Sequence, residues 1–167
     1  MVMTSRIQSL DSYLGVVMDV TANVDVPVSA EKLFEYISDL KNYESWLEMV
    51  HSVTPVGQDA ASSNDIKTWT VELRARLGPF ARSKRLRMVR ASCEAPYRVV
   101  FERAENDGRS HSAWVLSATV SQTVNGSSLQ TNLHYSGSLF TGGLLERALS
   151  DQIKQGQVKL IQLLSAN

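Results

Sequence analysis

The spacing of hydrophobic positions changes character twice along this chain. From Met18 to Val26 apolar and polar residues alternate, with Val20, Ala22, Val24 and Val26 on one side and Asp19, Thr21, Asn23 and Asp25 on the other. That period of two predicts a half-buried strand. Pro27 ends it, and Ser29 is a good N-cap for a short helix that has Glu31 at the positive end of its dipole and buries Leu33, Phe34 and Ile37. A second short helix is predicted from about Leu40 to Trp46. Strand-like segments then follow at roughly 49–56, 66–77, 80–92, 97–105, 112–124 and 128–140, separated by Gly78-Pro79, Ala95-Pro96, Asn106-Asp107-Gly108 and Asn125-Gly126. These breaks supply the fixed or positive φ that tight turns need. The last stretch, Gly143 to Leu164, returns to a period of 3.6. Leu145, Leu149, Ile153, Leu160, Leu163 and Leu164 share one face of a long helix. Gln152 and Gly156 interrupt that stripe. A mid-helix Gly costs about 1 kcal/mol relative to Ala, so either a strand comes close there or a cavity lies against the helix.

The strand phases define one apolar face, built from Trp69, Val71, Leu73, Ala75 and Leu77, then Leu86 and Met88, Val99 and Phe101, Trp114, Leu116, Ala118 and Val120, and Leu129, Leu133, Tyr135 and Leu139. A long twisted antiparallel sheet of about seven strands needs a cover for such a face, and the terminal helix is the element long enough to provide it. The expected class is therefore α+β, with a curved sheet wrapped around the C-terminal helix and two short helices after the first strand. Strands do not alternate with helices after residue 49, so βαβ nucleotide folds are disfavoured. Residues 18–167 read as a single domain. Residues 1–17 read as an extension, because Ile7, Leu10 and Leu14 have helical spacing with little else to support a helix.

Composition narrows the function classes. The chain has 167 residues, enough for one domain with a real core. Lys plus Arg and Asp plus Glu number 17 each, so no global field favours nucleic acid or an anionic membrane. The single cysteine, Cys93, excludes an internal disulfide and is expected to be a small buried or half-buried thiol. No apolar run approaches the roughly 20 residues of a membrane span, and the N-terminus lacks the apolar segment of a signal peptide. A cytoplasmic protein is expected.

The segment Val24-Asp25-Val26-Pro27-Val28-Ser29-Ala30-Glu31-Lys32-Leu33-Phe34-Glu35-Tyr36-Ile37-Ser38-Asp39, followed by Tyr43-Glu44-Ser45-Trp46, resembles the START-like, helix-grip (SRPBCC) superfamily. The resemblance is strongest to bacterial polyketide cyclase/dehydrase and carbon monoxide dehydrogenase G-subunit relatives. It extends over about Val20 to Leu164, including the Leu77-Gly78-Pro79-Phe80 hairpin and the closing helix. The family often has Pro near the Trp, where this chain has Ser45, Leu47 and Glu48. What the resemblance implies is a deep cavity between sheet and helix for lipids, isoprenoids, polyketides or similar apolar molecules, which some members cyclise or dehydrate.

Candidate chemistry is sparse. His51, His111 and His134 lack ligand spacing to one another, and no nucleophile elbow, phosphate loop or paired-Cys motif occurs. No metal and no cofactor are expected. The expected pocket, of several hundred Å³ or roughly the usual size of a small-molecule site, is lined by Trp46, Trp69, Val71, Leu73, Leu86, Met88, Phe101, Arg103, Trp114, Leu116, Leu133, Tyr135, Leu145, Leu149, Gln152, Ile153 and Gly156. Tyr135 and Gln152 point inward, while Arg103 and Arg90 extend inward phases near strand ends, where they could orient a ligand carbonyl or carboxylate. No inward Asp, Glu or His is available as a base. A binding or carrier protein for an amphiphilic small molecule is thus favoured over a cyclase/dehydrase. A third reading is an interaction module built on Arg74, Arg76, Arg82, Lys84, Arg85, Arg87 and Arg90, in which Arg74, Arg76, Arg85 and Arg87 emerge on the outer face of one hairpin and meet anionic surfaces weakly. The simpler view of that cluster is a solvated face balanced by Glu72 and Glu102.

Overall fold

The computed structural model describes residues 5–8, 16–57, 66–77, 79–137 and 143–166, with the backbone alone given for 5–8, 16, 75–77, 80, 143–146 and 148–150. Eight strands form one antiparallel sheet in the order β1-β2-β8-β7-β6-β5-β4-β3. They are β1 (Ser5–Gln8), β2 (Val16–Val26), β3 (Val50–Pro55), β4 (Thr68–Leu77), β5 (Phe80–Glu94), β6 (Arg98–Arg103), β7 (Trp114–Thr123) and β8 (Gly126–Gly137). Helix α1 spans Ala30–Ile37, a 3-10 turn spans Leu40–Ser45, and α2 spans Gly143–Ser165. This is the expected helix-grip architecture with one strand more than anticipated. Ser5–Gln8 pair with Val17–Val20, so part of the stretch read as an extension adds an edge strand instead of a helical turn.

Local chemistry sets the element ends. The Ser29 hydroxyl accepts from the Lys32 amide at 3.2 Å, and Ala30, Leu33, Phe34 and Ile37 are the buried face of α1. Asp39 caps the 3-10 turn by accepting from the Lys41 amide at 2.9 Å. At the β7–β8 turn Gly126 has φ +149°, and a Cβ there would collide with the Val26 carbonyl, so only glycine lets the turn sit on the end of β2.

The register carries the inward phase across the sheet. Tyr135 pairs with Trp114, Leu133 with Leu116, Phe101 with Leu116, Val71 with Leu86, and Trp69 with Met88. Between Arg90 and Ser92 the β5–β6 register shifts, which bends the sheet and increases its twist. The core lies on the concave side. Leu160 and Leu164 of α2 are buried in it, and the Gln157 side-chain amide donates to the Asn23 carbonyl at 2.9 Å, tying the helix to β2. Cys93, one residue from the end of β5, is exposed, contrary to the buried or half-buried thiol expected, although its strand partner Val99 is buried.

Candidate functional site

The concave face is covered by α2, by α1 packed against β7 and β8, and by the segment 40–49, which the 3-10 turn folds back over the sheet. Tyr43 is buried, its hydroxyl donates to the Ile37 carbonyl at 2.9 Å, and burial pushes its pKa well above the usual phenol range. The Tyr43 carbonyl accepts from the amides of Trp46 and Leu47 at 3.3 and 2.9 Å, and the Glu44 carboxylate accepts from the Val53 amide. Lys159 of α2 reaches Glu48 at 2.6 Å, lowering the Glu48 pKa. The segment is therefore held to the sheet edge, to the first helical region and to α2 at once.

Beneath these covers the side chains leave a cavity of about 100 Å³, smaller than the several hundred Å³ expected. Its wall is formed by Val20, Leu40, Tyr43, Trp46, Leu47, Met49, Val50, Val53, Val71, Leu73, Leu86, Met88, Trp114, Leu116, Thr131, Leu133 and Ile153. Nine of the residues expected at a pocket are there: Trp46, Val71, Leu73, Leu86, Met88, Trp114, Leu116, Leu133 and Ile153. Trp69 and Phe101 are instead packed in the core, ring against ring at 5.7 Å and 77°, with Tyr43 edge-on to Phe101 at 6.1 Å. This aromatic cluster occupies space that the sequence reading assigned to a ligand. Tyr135 is fully buried behind Trp114, 4.7 Å between ring centroids. Leu145 and Leu149 lie outside the described side chains.

Gly156 does not open onto the cavity. A Cβ built there would lie 2.7 Å from the Trp46 carbonyl oxygen and 2.9 Å from Leu47 Cδ2. The glycine permits close approach of a backbone, as one of the two expectations held, but the partner is the 40–49 cover and not a strand. Gln152 likewise stands apart from the cavity wall, and its Oε1 is buried without a hydrogen-bond partner among the described residues. On the 40–49 side of the wall Leu40, Tyr43, Leu47 and Val50 keep an i, i+3, i+7, i+10 spacing, a signal that could have flagged them.

The wall is almost wholly apolar. Two of its residues, Trp46 and Trp114, have indole N–H groups that are buried with no acceptor among the described residues. Leaving a buried donor unpaired costs about 1 to 3 kcal/mol, so a guest that offered an acceptor oxygen would recover part of that.

At the Trp114 end lies a polar cluster. Arg103 follows the inward phase as expected, pairing with Met88, but its guanidinium is committed to the protein. Nε donates to Glu105 at 2.7 Å, Nη1 to the Ser112 carbonyl and hydroxyl at 3.2 Å each, and Nη2 meets His111 Nδ1 at 3.1 Å. His111 in turn holds Asp107 at 2.8 Å, and that bond is the leading cause of the lowered Asp107 pKa. Arg103 is thus unavailable to orient a ligand. Arg90, also inward, donates to the Ser38 carbonyl at 3.5 Å.

Lys84 is the residue that sequence reasoning missed. It pairs with Leu73, a cavity-wall residue, and so belongs to the concave face, although in sequence it stands in the basic cluster and drew no pocket role. Its ammonium lies 5.9 Å from the Trp114 ring centroid and 6.0 Å from that of Tyr135, and donates to the Ser112 hydroxyl at 3.4 Å. Counting back by twos from Met88 and Leu86 would have found it.

On the opposite face of the same hairpin, Thr70, Glu72 and Arg74 pair with Arg87, Arg85 and Ser83. Glu72 holds Arg74 at 3.0 Å and Arg85 at 3.8 Å, while the half-buried Arg87 donates to the Ala104 carbonyl at 2.6 Å. The Arg76 side chain is outside the described residues. His134 sits on this outer side of β8, 2.8 Å from Asp19. Among the described residues no group of three or more His, Cys, Asp or Glu is placed to hold a metal ion.

A long antiparallel sheet gripping a C-terminal helix, with unfilled apolar space between the sheet and its covers, defines a START-like, SRPBCC-type domain. The chain belongs to the family described as polyketide cyclase / dehydrase and lipid transport, whose profile matches residues 18–164. No curated protein matches it. Solved structures share the fold at low identity. A START superfamily protein from Mycobacterium smegmatis is 12% identical with a TM-score of 0.66, over 89% of this chain and 97% of that one. TTHA0849 from Thermus thermophilus is 18% identical with a TM-score of 0.58, over 87% and 92%. The di-domain ARO/CYC StfQ from the steffimycin biosynthetic pathway is 15% identical with a TM-score of 0.59, over 89% of this chain and 50% of that longer one.

Proposed function

We propose that this protein binds or carries an apolar or amphiphilic small molecule of the lipid, isoprenoid or polyketide-like class in the space beneath the 40–49 cover and α2. The observation that carries the reading is the unfilled apolar cavity, two of whose wall residues, Trp46 and Trp114, have N–H donors without an acceptor among the described residues. Residues 18–167 form the ligand-binding unit, to which the residues before 18 contribute an edge strand. No described helix is long and apolar enough to cross a membrane, and a cytoplasmic location fits the reducing compartment that a lone cysteine suggests.

The runner-up is a cyclase or dehydrase working in the same cavity, which the family description and the ARO/CYC neighbour both favour. Turnover needs a proton donor and acceptor in reach of the substrate. Among the described wall residues the hydroxyls are those of Thr131 and Tyr43, and the Tyr43 proton is bound to the Ile37 carbonyl with a raised pKa. Binding without turnover is the better supported of the two. Weak contact of the Arg74 and Arg85 face with anionic surfaces ranks third, since Glu72 already neutralises part of that charge.

Native mass spectrometry of freshly purified protein, followed by calorimetric titration with 2-naphthalenemethanol, tests the leading reading. A single small-molecule adduct and one-to-one binding are expected. A protein that arrives bare and takes up no apolar guest would overturn it. Consumption of a poly-β-ketone thioester would promote the runner-up.

A further inference from the structure

Lys84 and Arg85 are neighbours in one strand, both cationic, and the pleat sends them to opposite sides. Arg85 faces outward within 3.8 Å of Glu72. Lys84 is not itself a wall residue, but it faces inward with its ammonium near the rings of Tyr135 and Trp114, and Trp114 is part of the cavity wall. No carboxylate lies within ion-pair distance of Lys84 among the described residues. The nearest acidic group of that cluster, Glu105, is taken by Arg103 at 2.7 Å. Arg103 therefore takes Glu105 and His111 takes Asp107, which leaves the Lys84 ammonium with a hydroxyl at 3.4 Å and two aromatic faces.

Resting on the reading of the cavity as a ligand site, we infer that Lys84 is its anion anchor, and that the natural guest is an apolar molecule with one carboxylate placed at the Trp114 end. Three features carry this: the inward register position, the cation set against a wall ring, and the commitment of the neighbouring carboxylate elsewhere. The lysine's own titration agrees. Burial first, and the positive charge of Arg103 second, lower the Lys84 pKa, with Glu105 acting the other way, so the ammonium is incompletely compensated in the folded protein. An arriving carboxylate would supply the missing counter-charge, and charge-assisted hydrogen bonds are roughly twice as strong as neutral ones. The walls away from that end, Leu73, Leu86, Leu116 and Leu133, offer only apolar surface for the rest of the guest.

Calorimetric titration at pH 7 with 2-naphthoate and 2-naphthalenemethanol separates anchor from cavity, because the two guests share a ring system and differ in charge. Wild-type protein should bind the carboxylate about tenfold more tightly than the alcohol or better, the usual scale of one hydrogen bond to a charged group. Lys84→Met should abolish that preference by weakening the carboxylate alone, and Lys84→Gln should do the same while keeping a polar side chain. Arg85→Met, on the outer face, should leave it intact. Equal affinities in the wild type, a preference that survives Lys84→Met, or loss of both guests in both Lys84 variants would overturn the anchor. In the first two cases alcohol binding keeps the cavity reading standing. If the wild type binds neither guest, the cavity reading and the anchor both fall.

Discussion

Two sides of the same concave face, reached by the same inward alternation, end in opposite states. Toward β4 and β6, Trp69, Phe101 and Tyr43 meet ring to ring and fill the space. Around Leu73 of β4, Leu86 of β5, Leu116 of β7 and Leu133 of β8 the side chains are too short to meet the 40–49 cover and α2, and a cavity is left. Both sides are equally apolar. The difference is reach: an aromatic ring spans the gap between sheet and cover, an isobutyl group does not. Hydrophobic phase thus says which residues face the cover, and side-chain length decides whether they touch it.

The largest effect should come from emptying the filled side. Phe101 is fully buried between two rings, and Phe101→Ala should cost about 3 to 5 kcal/mol, the range for deleting a core aromatic side chain. Urea unfolding checks it; a loss below about 1 kcal/mol, no more than a surface-like change, would mean that the ring cluster is not what holds this side.

Next comes the joint between the two covers. With a Cβ at 156 only 2.7 Å from the Trp46 carbonyl oxygen, Gly156→Leu should cost about 1 to 3 kcal/mol by overpacking, although the same change would favour the isolated helix by up to about 1 kcal/mol. A thermal melt at or above the wild-type midpoint would show that the 40–49 cover can retreat from α2.

Filling the empty side should be far gentler. Leu116→Phe is expected to shift stability by no more than about 1 kcal/mol in either direction, since cavity-filling changes are often tolerated or stabilising, while abolishing uptake of 2-naphthalenemethanol. Retained uptake with unchanged affinity would place the guest elsewhere.

The smallest effect is one of pH. Because the Lys84 pKa is lowered on folding, the unfolded chain binds more protons between the folded value and the ordinary lysine value of 10.5. Stability of the wild type relative to Lys84→Met should therefore rise with pH across that alkaline window and stay level below it. Paired melts from neutral to alkaline pH measure the slope. A falling slope would mean that the folded state favours the ammonium, which contradicts its desolvated position.

Much of the molecule was legible from local pattern. Alternation in residues 20–26 and 69–73 placed strand faces correctly, Ser29 announced α1, and the leucine spacing after Gly143 announced α2. Lys84 was legible too, by counting from Leu86, yet it was grouped with a run of basic residues and given no face of its own. Proximity in sequence had outweighed the pleat. Arg103 shows the converse case: its phase was right, but no spacing rule reveals that Glu105, Ser112 and His111 would consume its donors.

What the sequence determined by itself is everything that depends on neighbours two to four positions away: strand phase, helix stripes, caps and turns. What only the tertiary structure decided depends on distances between segments far apart in the chain. Trp46 meets Gly156, Lys84 crosses Trp114, and Tyr43 closes on Phe101. The cavity is the remainder left by those contacts. Its size and walls follow from how far each side chain extends across a gap whose width is set by the bend of the sheet and the path of residues 40–49, and no local periodicity encodes that width.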